Sequence, residues 1–156
     1  MAKLTQEDLE RYVINEVTSA CDVLGVAYRE LSPEYVEALR QQLAAQFGPG
    51  ADYLLTFDNM LGKNARQDTE GWALLQSFLN REPHLLFYDA PGSIDRHGVR
   101  FLDGSAIPKV LAECFGFPFY ITDEAHRFVV GMNEHDYLIG VGSAEAWMRG
   151  LPAREE

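Results

Sequence analysis

Between Phe119 and Val141 three short apolar runs alternate with two short polar links, and this succession restricts the fold more than any other feature of the chain. The runs are Phe119–Thr122, Phe128–Met132 and Tyr137–Val141, and the links are Asp123–Arg127 and Asn133–Asp136. Links of four or five residues return a strand only to an antiparallel neighbour, because a parallel return needs a crossover of about a dozen residues or more. The back of the chain therefore reads as sequentially paired antiparallel strands. His84–Asp89 is a further apolar run, read as a central strand. The expected sheet has about four strands.

The front half carries the helical period instead. Thr5 followed by Asp8 is a helix-start pattern, and Leu9, Tyr12, Val13, Val17, Ala20 and Leu24 recur at helical spacing up to Gly25. One helix is expected over about 6–24. Ser32-Pro33-Glu34 opens a second, with Val36, Leu39, Leu43 and Phe47 as its apolar stripe and Gly48-Pro49-Gly50 as its stop. Asp52–Asp58 reads equally as a short strand or a buried turn of helix. A third helix begins near Asp68 and carries Trp72, Leu75, Phe78 and Leu79; a fourth is capped by Ser105, and a last one starts at Gly142-Ser143. Ile94 to Gly104 is read as a polar, exposed link. The expected architecture is α+β: N-terminal helices on one face of a mainly antiparallel sheet, in a single domain over 1–156.

Of 156 residues 47% are hydrophobic, enough for a core without staples. The formal net charge is −11. A field of that sign repels phosphate backbones and anionic membranes, so neither a nucleic acid nor a membrane is expected as partner. It speeds encounter with a basic protein. The two cysteines, Cys21 and Cys114, each fall inside an apolar helical pattern, and neither belongs to a CxxC. That usage fits a reducing compartment. The first residues hold no apolar signal region, and the expected address is the cytoplasm. A disulfide between the two thiols requires that their helices touch.

The densest polar cluster comprises Asp123, Glu124, His126, Glu134, His135 and Asp136. If the strands pair as hairpins, the two links lie at opposite ends of the strand 128–132, ~17 Å apart at ~3.4 Å per residue. His126 and His135 then share no ion. Glu134, His135 and Asp136 offer two carboxylates and an imidazole, which can bind a cation or perform acid–base work. Adjacent residues converge on a metal only with further donors, so the segment reads better as a polar turn. Ser105, His135 and Asp89 supply the residue types of a hydrolytic triad. Asp103-Gly104-Ser105-Ala106-Ile107 is no nucleophile elbow, however, and Ser105 is better explained as a cap. His84 is read as packing, His97 as part of an exposed turn, and Cys114 as inert packing. Gly140-Val141-Gly142 lacks the third glycine of a dinucleotide loop. No catalytic residue, metal site or cofactor is assigned.

From Phe119 through Gly142, with Trp147 beyond, the chain resembles a group of small bacterial proteins of unknown function. These end in a strand, a four-residue polar turn containing histidine, a second strand and a short helix with tryptophan. The resemblance covers about the last third of the chain. Such domains often stand beside secreted toxins as immunity partners, so it implies a toxin-neutralising binding role and no catalytic residues. The group often has a second histidine where this chain has Asp136, which argues against a paired-histidine site.

The leading reading is a non-enzymatic binding or regulatory protein with a basic protein partner, its surface placed at Glu134, His135, Asp136 and Tyr137. The alternative is a small hydrolase or metal-dependent enzyme that uses His135 with Glu134, Asp136 or Asp123. A third is a homo-oligomer whose face is the aromatic stretch Phe115–Tyr137; those aromatics serve equally as core.

Overall fold

The computed structural model describes residues 5–90 and 92–152. Among these residues seven strands form one antiparallel sheet in the order β1-β4-β3-β5-β6-β7-β2. Their ranges are β1 Tyr28–Leu31, β2 Asn64–Gln67, β3 His84–Tyr88, β4 Gly98–Phe101, β5 Phe119–Asp123, β6 Phe128–Met132 and β7 Tyr137–Gly142. The α+β class and the consecutive pairing of β5, β6 and β7 agree with the sequence. The strand count does not: there are seven rather than about four. Two of the additional strands, β1 (Tyr-Arg-Glu-Leu) and β2 (Asn-Ala-Arg-Gln), lie at the sheet's edges, where polar side chains discourage further pairing and leave no apolar run to read. The third, β4, falls inside the segment expected to be exposed, yet Val99 and Phe101 are fully buried between β3 and β1.

The helices are α1 Gln6–Glu10, α2 Tyr12–Leu24, α3 Pro33–Phe47, α4 Gly71–Leu74, α5 Ile107–Ala112 and α6 Ser143–Arg149, with 3₁₀ turns at Leu75–Ser77 and Gly104–Ala106. They cover both faces of the sheet, not one. On one face Val17 and Cys21 of α2, Val110 of α5 and Met148 of α6 pack with Leu86, Tyr88, Ile121 and Val130. On the other, Val36, Leu39 and Leu43 of α3 pack with Leu85, Phe87, Tyr120 and Val129. Successive residues of β3 thus serve opposite cores, as the strand period of two requires. The single layer expected from the sequence fails for a topological reason. β1 and β2 sit at opposite edges, so the chain between them must cross the whole sheet. Six strand spacings amount to ~29 Å, whereas the fifteen residues of α3 reach ~22 Å. The loop 48–63 completes the crossing and carries Leu55, Phe57 and Met60 into the second core.

Local chemistry explains most of the ends. Thr5 and Asp8 form the reciprocal cap anticipated for α1. Ser32 Oγ accepts from Tyr35 N–H (3.1 Å) at the start of α3, and Gly25 ends α2 at φ 69°. Gly131 interrupts the apolar run of β6 because a Cβ there would strike the Phe119 carbonyl oxygen on β5 and meet the Phe57 ring at 3.0 Å.

Candidate partner-binding site

The bend between β6 and β7 holds three of the four residues singled out for binding, Glu134, His135 and Asp136, and Tyr137 opens β7 directly after it. Asn133 organises it: its Oδ1 accepts from His135 N–H (2.9 Å) and Tyr137 N–H (3.0 Å), and its own N–H donates to the Tyr137 carbonyl (3.1 Å). Asp136 stands in the left-handed region at φ 62°, and its carbonyl accepts from Asp68 N–H (2.8 Å). Glu134, His135 and Asp136 are exposed, and Tyr137 is exposed at the strand's first position. The His135 side chain is 73% exposed with Glu134 Oε1 at 3.6 Å.

The hydrolase reading loses one of its proposed partners. In the β5–β6–β7 register the bend 124–127 and the bend 133–136 lie at opposite ends of β6. Asp123 belongs to the first, where it accepts from Arg127 N–H (2.8 Å) and faces Arg127 Nε at 3.2 Å. It is therefore remote from His135. Nor does a triad assemble, since Asp89 is bound to Arg40 and Ser105 donates to Asp103. Asp103 accepts the Ser105 N–H (2.9 Å) and caps the 3₁₀ turn Gly104–Ala106, while α5 follows from Ala106 with no side-chain cap, so the serine cap expected above does not form. His84 is buried, with Nδ1 donating to the Glu82 carbonyl (2.7 Å). Among the described residues no three His, Cys, Asp or Glu side chains are placed to hold a metal ion.

Both cysteines are free. Burial, then the charge of Asp22, pushes the Cys21 thiol up to about 11. Burial, then the charge of Glu16, pushes Cys114 up to about 12. Such thiols are poor nucleophiles at neutral pH.

What the bend adjoins was not anticipated. A cleft of about 540 Å³ runs beside it, between Trp72, Cys114 and Phe117 on its apolar walls and Glu134 and Asp136 at its rim. A second cleft, of about 400 Å³, is walled by Leu9, Tyr12, Ile94 and Phe115. The two share Phe115, Gly116 and Phe117, which form the ridge between them. Aromatic rings continue along that ridge: Tyr12 to Phe115 at 5.4 Å, Phe115 to Phe117 at 5.8 Å and Phe117 to Phe119 at 6.4 Å. Tyr12 is 52% exposed and Phe115 38%. The sequence placed Leu9 and Tyr12 on the inner stripe of one long helix. The backbone leaves helical geometry at Arg11 (φ −119°, ψ 17°), separating α1 from α2 and leaving both side chains outside the core.

Two carboxylates fasten the layers on the two faces of the sheet, each reaching a helix far away in sequence. Asp95 is completely buried. Its Oδ2 accepts from Val13 N–H (2.9 Å) and Ile14 N–H (2.8 Å), the second and third positions of α2. It serves α2 as the absent local cap would. Its Oδ1 accepts from Tyr88 OH (2.8 Å), His97 N–H (2.9 Å) and His97 Nδ1 (3.0 Å). His97 is consequently half-buried, contrary to the exposed turn expected for it. On the opposite face Asp89 makes a two-pronged pair with buried Arg40, at 2.7 and 2.8 Å, and accepts from Tyr120 OH (3.0 Å). Arg40 also donates to the Leu55 carbonyl (3.1 and 2.8 Å) and lies over the Phe87 and Tyr120 rings. Asp89 and Tyr120 border a small polar pocket of about 180 Å³ that reaches Asp58 and Glu134.

The exposed ridge had a faint signal in the sequence. Phe115-Gly116-Phe117-Pro118 puts aromatics around a glycine and before a proline, beyond the reach of helix or strand periodicity. No family model, curated protein or solved structure matches the chain.

Proposed function

We propose that this chain is a non-enzymatic binding domain for a basic protein, with neutralisation of a toxin as one form of that role. Its recognition surface runs from the 133–136 bend through the larger cleft and over the shared Phe115–Phe117 ridge to the smaller cleft. One observation carries the reading: the charged side chains lining these clefts are Glu134 and Asp136, and no lysine or arginine is among them. Interface energy concentrates in aromatic anchors that exclude water, while rim charges govern encounter and choice of partner. This surface has both parts, in a chain of net charge −11. The exposed Glu134, His135, Asp136 and Tyr137 form the rim of that surface. No described helix is long and apolar enough to cross a membrane, and the two free thiols suit a reducing cytoplasm.

The test is capture from native lysate on immobilised protein at low and physiological salt. A basic partner is expected, held less firmly as salt rises. The double variant Glu134→Lys with Asp136→Asn, which reverses one charge, removes the other and keeps a residue suited to the left-handed backbone at 136, should abolish capture while leaving the fold intact. Recovery of nothing at either salt, or of a partner indifferent to the double variant, would defeat the proposal.

A further inference from the structure

Resting on that reading, we infer how the partner lies on the surface: an apolar side chain of a basic segment enters the cleft beside Tyr12 and Ile94, and its lysine or arginine neighbours cross the Phe115–Phe117 ridge to Glu134 and Asp136. The inference comes from the unequal chemistry of the two clefts. The walls of the smaller one carry no charged side chain, and four of the residues that line it, Leu9, Tyr12, Ile94 and Phe115, are large, exposed and mainly apolar. The larger has an apolar wall but a rim carrying two carboxylates. One ridge divides them, so a single segment draped across it meets an uncharged socket on one side and an acidic rim on the other. A cavity of ~150 Å³ holds a benzene ring. The smaller cleft, at about 400 Å³, therefore has room for a large aliphatic or aromatic side chain.

The walls are held in place before any partner arrives. Asp95 ties the Ile94 segment to the start of α2, next to Tyr12, through two backbone amides. Glu16 Oε1 accepts from Phe115 N–H (3.3 Å), fixing the ridge against the same helix. Preformed walls reduce the ordering cost of association. Charge selects the occupant. A second copy of this chain would bring another −11 to the surface, and an anionic membrane is repelled by the same field. A cationic segment with an apolar anchor matches both the socket and the rim.

Three fluorescein-labelled peptides of equal length test this with the full chain. The first has a leucine–phenylalanine pair flanked by lysines, the second the same pair flanked by glutamates, the third the lysines with serines replacing the pair. The first should bind, with amide shifts in the nuclear magnetic resonance spectrum confined to Tyr12, Ile94, Phe115–Phe117 and the 133–136 bend. The other two should bind at least about ten-fold more weakly, as should Phe115→Ser or Tyr12→Ser protein with the first peptide. Val23→Ser, on an exposed part of α2 away from the clefts, should change nothing. Both cleft variants remove exposed rings, and their folding is checked by circular dichroism. If the lysine peptide binds but maps elsewhere, or ignores both cleft variants, this docking mode fails while the basic-partner reading stands. Equal binding of the lysine and glutamate peptides overturns both. Equal binding of the serine peptide, or light scattering that shows a dimer dispersed by Phe115→Ser, overturns the docking mode.

Discussion

Asp89 and Asp95 are six residues apart, and they fasten opposite layers of the molecule by different chemistry. Asp95 is wholly buried and satisfied largely by backbone: two amides of α2 and the amide of His97, with the Tyr88 hydroxyl and the His97 ring. Asp89 keeps 38% of its side chain exposed and is satisfied by other side chains, the Arg40 guanidinium and the Tyr120 hydroxyl. A carboxylate bound mainly by backbone amides keeps those partners whichever side chain is mutated, and only the Tyr88 hydroxyl and the His97 ring can be removed from Asp95. A carboxylate bound by a guanidinium has a main partner that mutation can remove, and each of the two can be altered to suit the other. The comparison predicts a rigid, irreplaceable clamp behind the aromatic clefts and a tunable one beside the small polar pocket.

The sharpest break would come from Asp95→Ala. It strands two α2 amides, the His97 amide and a buried phenol in a volume closed to water. Each buried donor left unpaired costs about 1–3 kcal/mol, reduced where the site relaxes. We expect a loss of about 4 kcal/mol in chemical denaturation, at the upper end of what single substitutions do. Loss of the Tyr12 and Ile94 amide positions should accompany it in any folded remainder. A loss below about 1 kcal/mol would show that α2 finds another cap and that the two carboxylates do not differ in kind.

Arg40→Ala comes next. It removes the buried half of the pair, leaves the Leu55 carbonyl without its donor and uncovers the Phe87 and Tyr120 rings. Breaking a buried ion pair from one side costs about 3–5 kcal/mol. Because Asp89 can regain water, about 3 kcal/mol is expected here. The double variant Arg40→Met with Asp89→Leu should lose clearly less than the sum of its parts, with a coupling of about 1–2 kcal/mol in a double-mutant cycle. Asp95 has no equivalent rescue. Additivity in the Arg40–Asp89 cycle would remove the proposed distinction.

The legible and illegible parts of this molecule divide by sequence distance. β5, β6 and β7 could be read because their links of four or five residues leave one pairing open. The same reasoning placed His126 and His135 at opposite ends of β6, and it set Glu134–Asp136 in a polar turn. Thr5 and Ser32 could be read as caps because the groups they serve are three residues away. Asp95 could not, since the amides it serves are 81 and 82 residues away. For the same reason α1 and α2 read as one helix: nothing near Arg11 records that the amides beyond it turn toward a distant carboxylate. β1 and β2 escaped because an edge strand needs no apolar run. The clefts escaped because their walls come from five separate parts of the chain, and no local period records which aromatics a remote loop leaves uncovered.

The smallest predicted effect is the titration of Asp89, and its sign tests the tunable clamp directly. Burial alone would raise the pKa of this carboxyl. The hydrogen bonds and charge of Arg40, with the Tyr120 hydroxyl, outweigh burial and hold it below its ordinary value. Arg40 responds in the matching direction: burial would lower it, and Asp89 raises it. A carboxyl whose folded value is depressed binds protons more weakly when folded than when unfolded. Its stabilisation is complete above the unfolded value, about 3.9, and is lost as pH falls through the lower folded value. The side chain is more than a third exposed, so solvent screening reduces the amount to about 1 kcal/mol. Urea denaturation between pH 5 and pH 2 should therefore show the wild type losing about that much more stability than Asp89→Asn, whose amide does not titrate. Parallel acid limbs for the two proteins would mean that Arg40 does not hold the Asp89 charge, and the contrast with Asp95 would have to be rebuilt on packing alone.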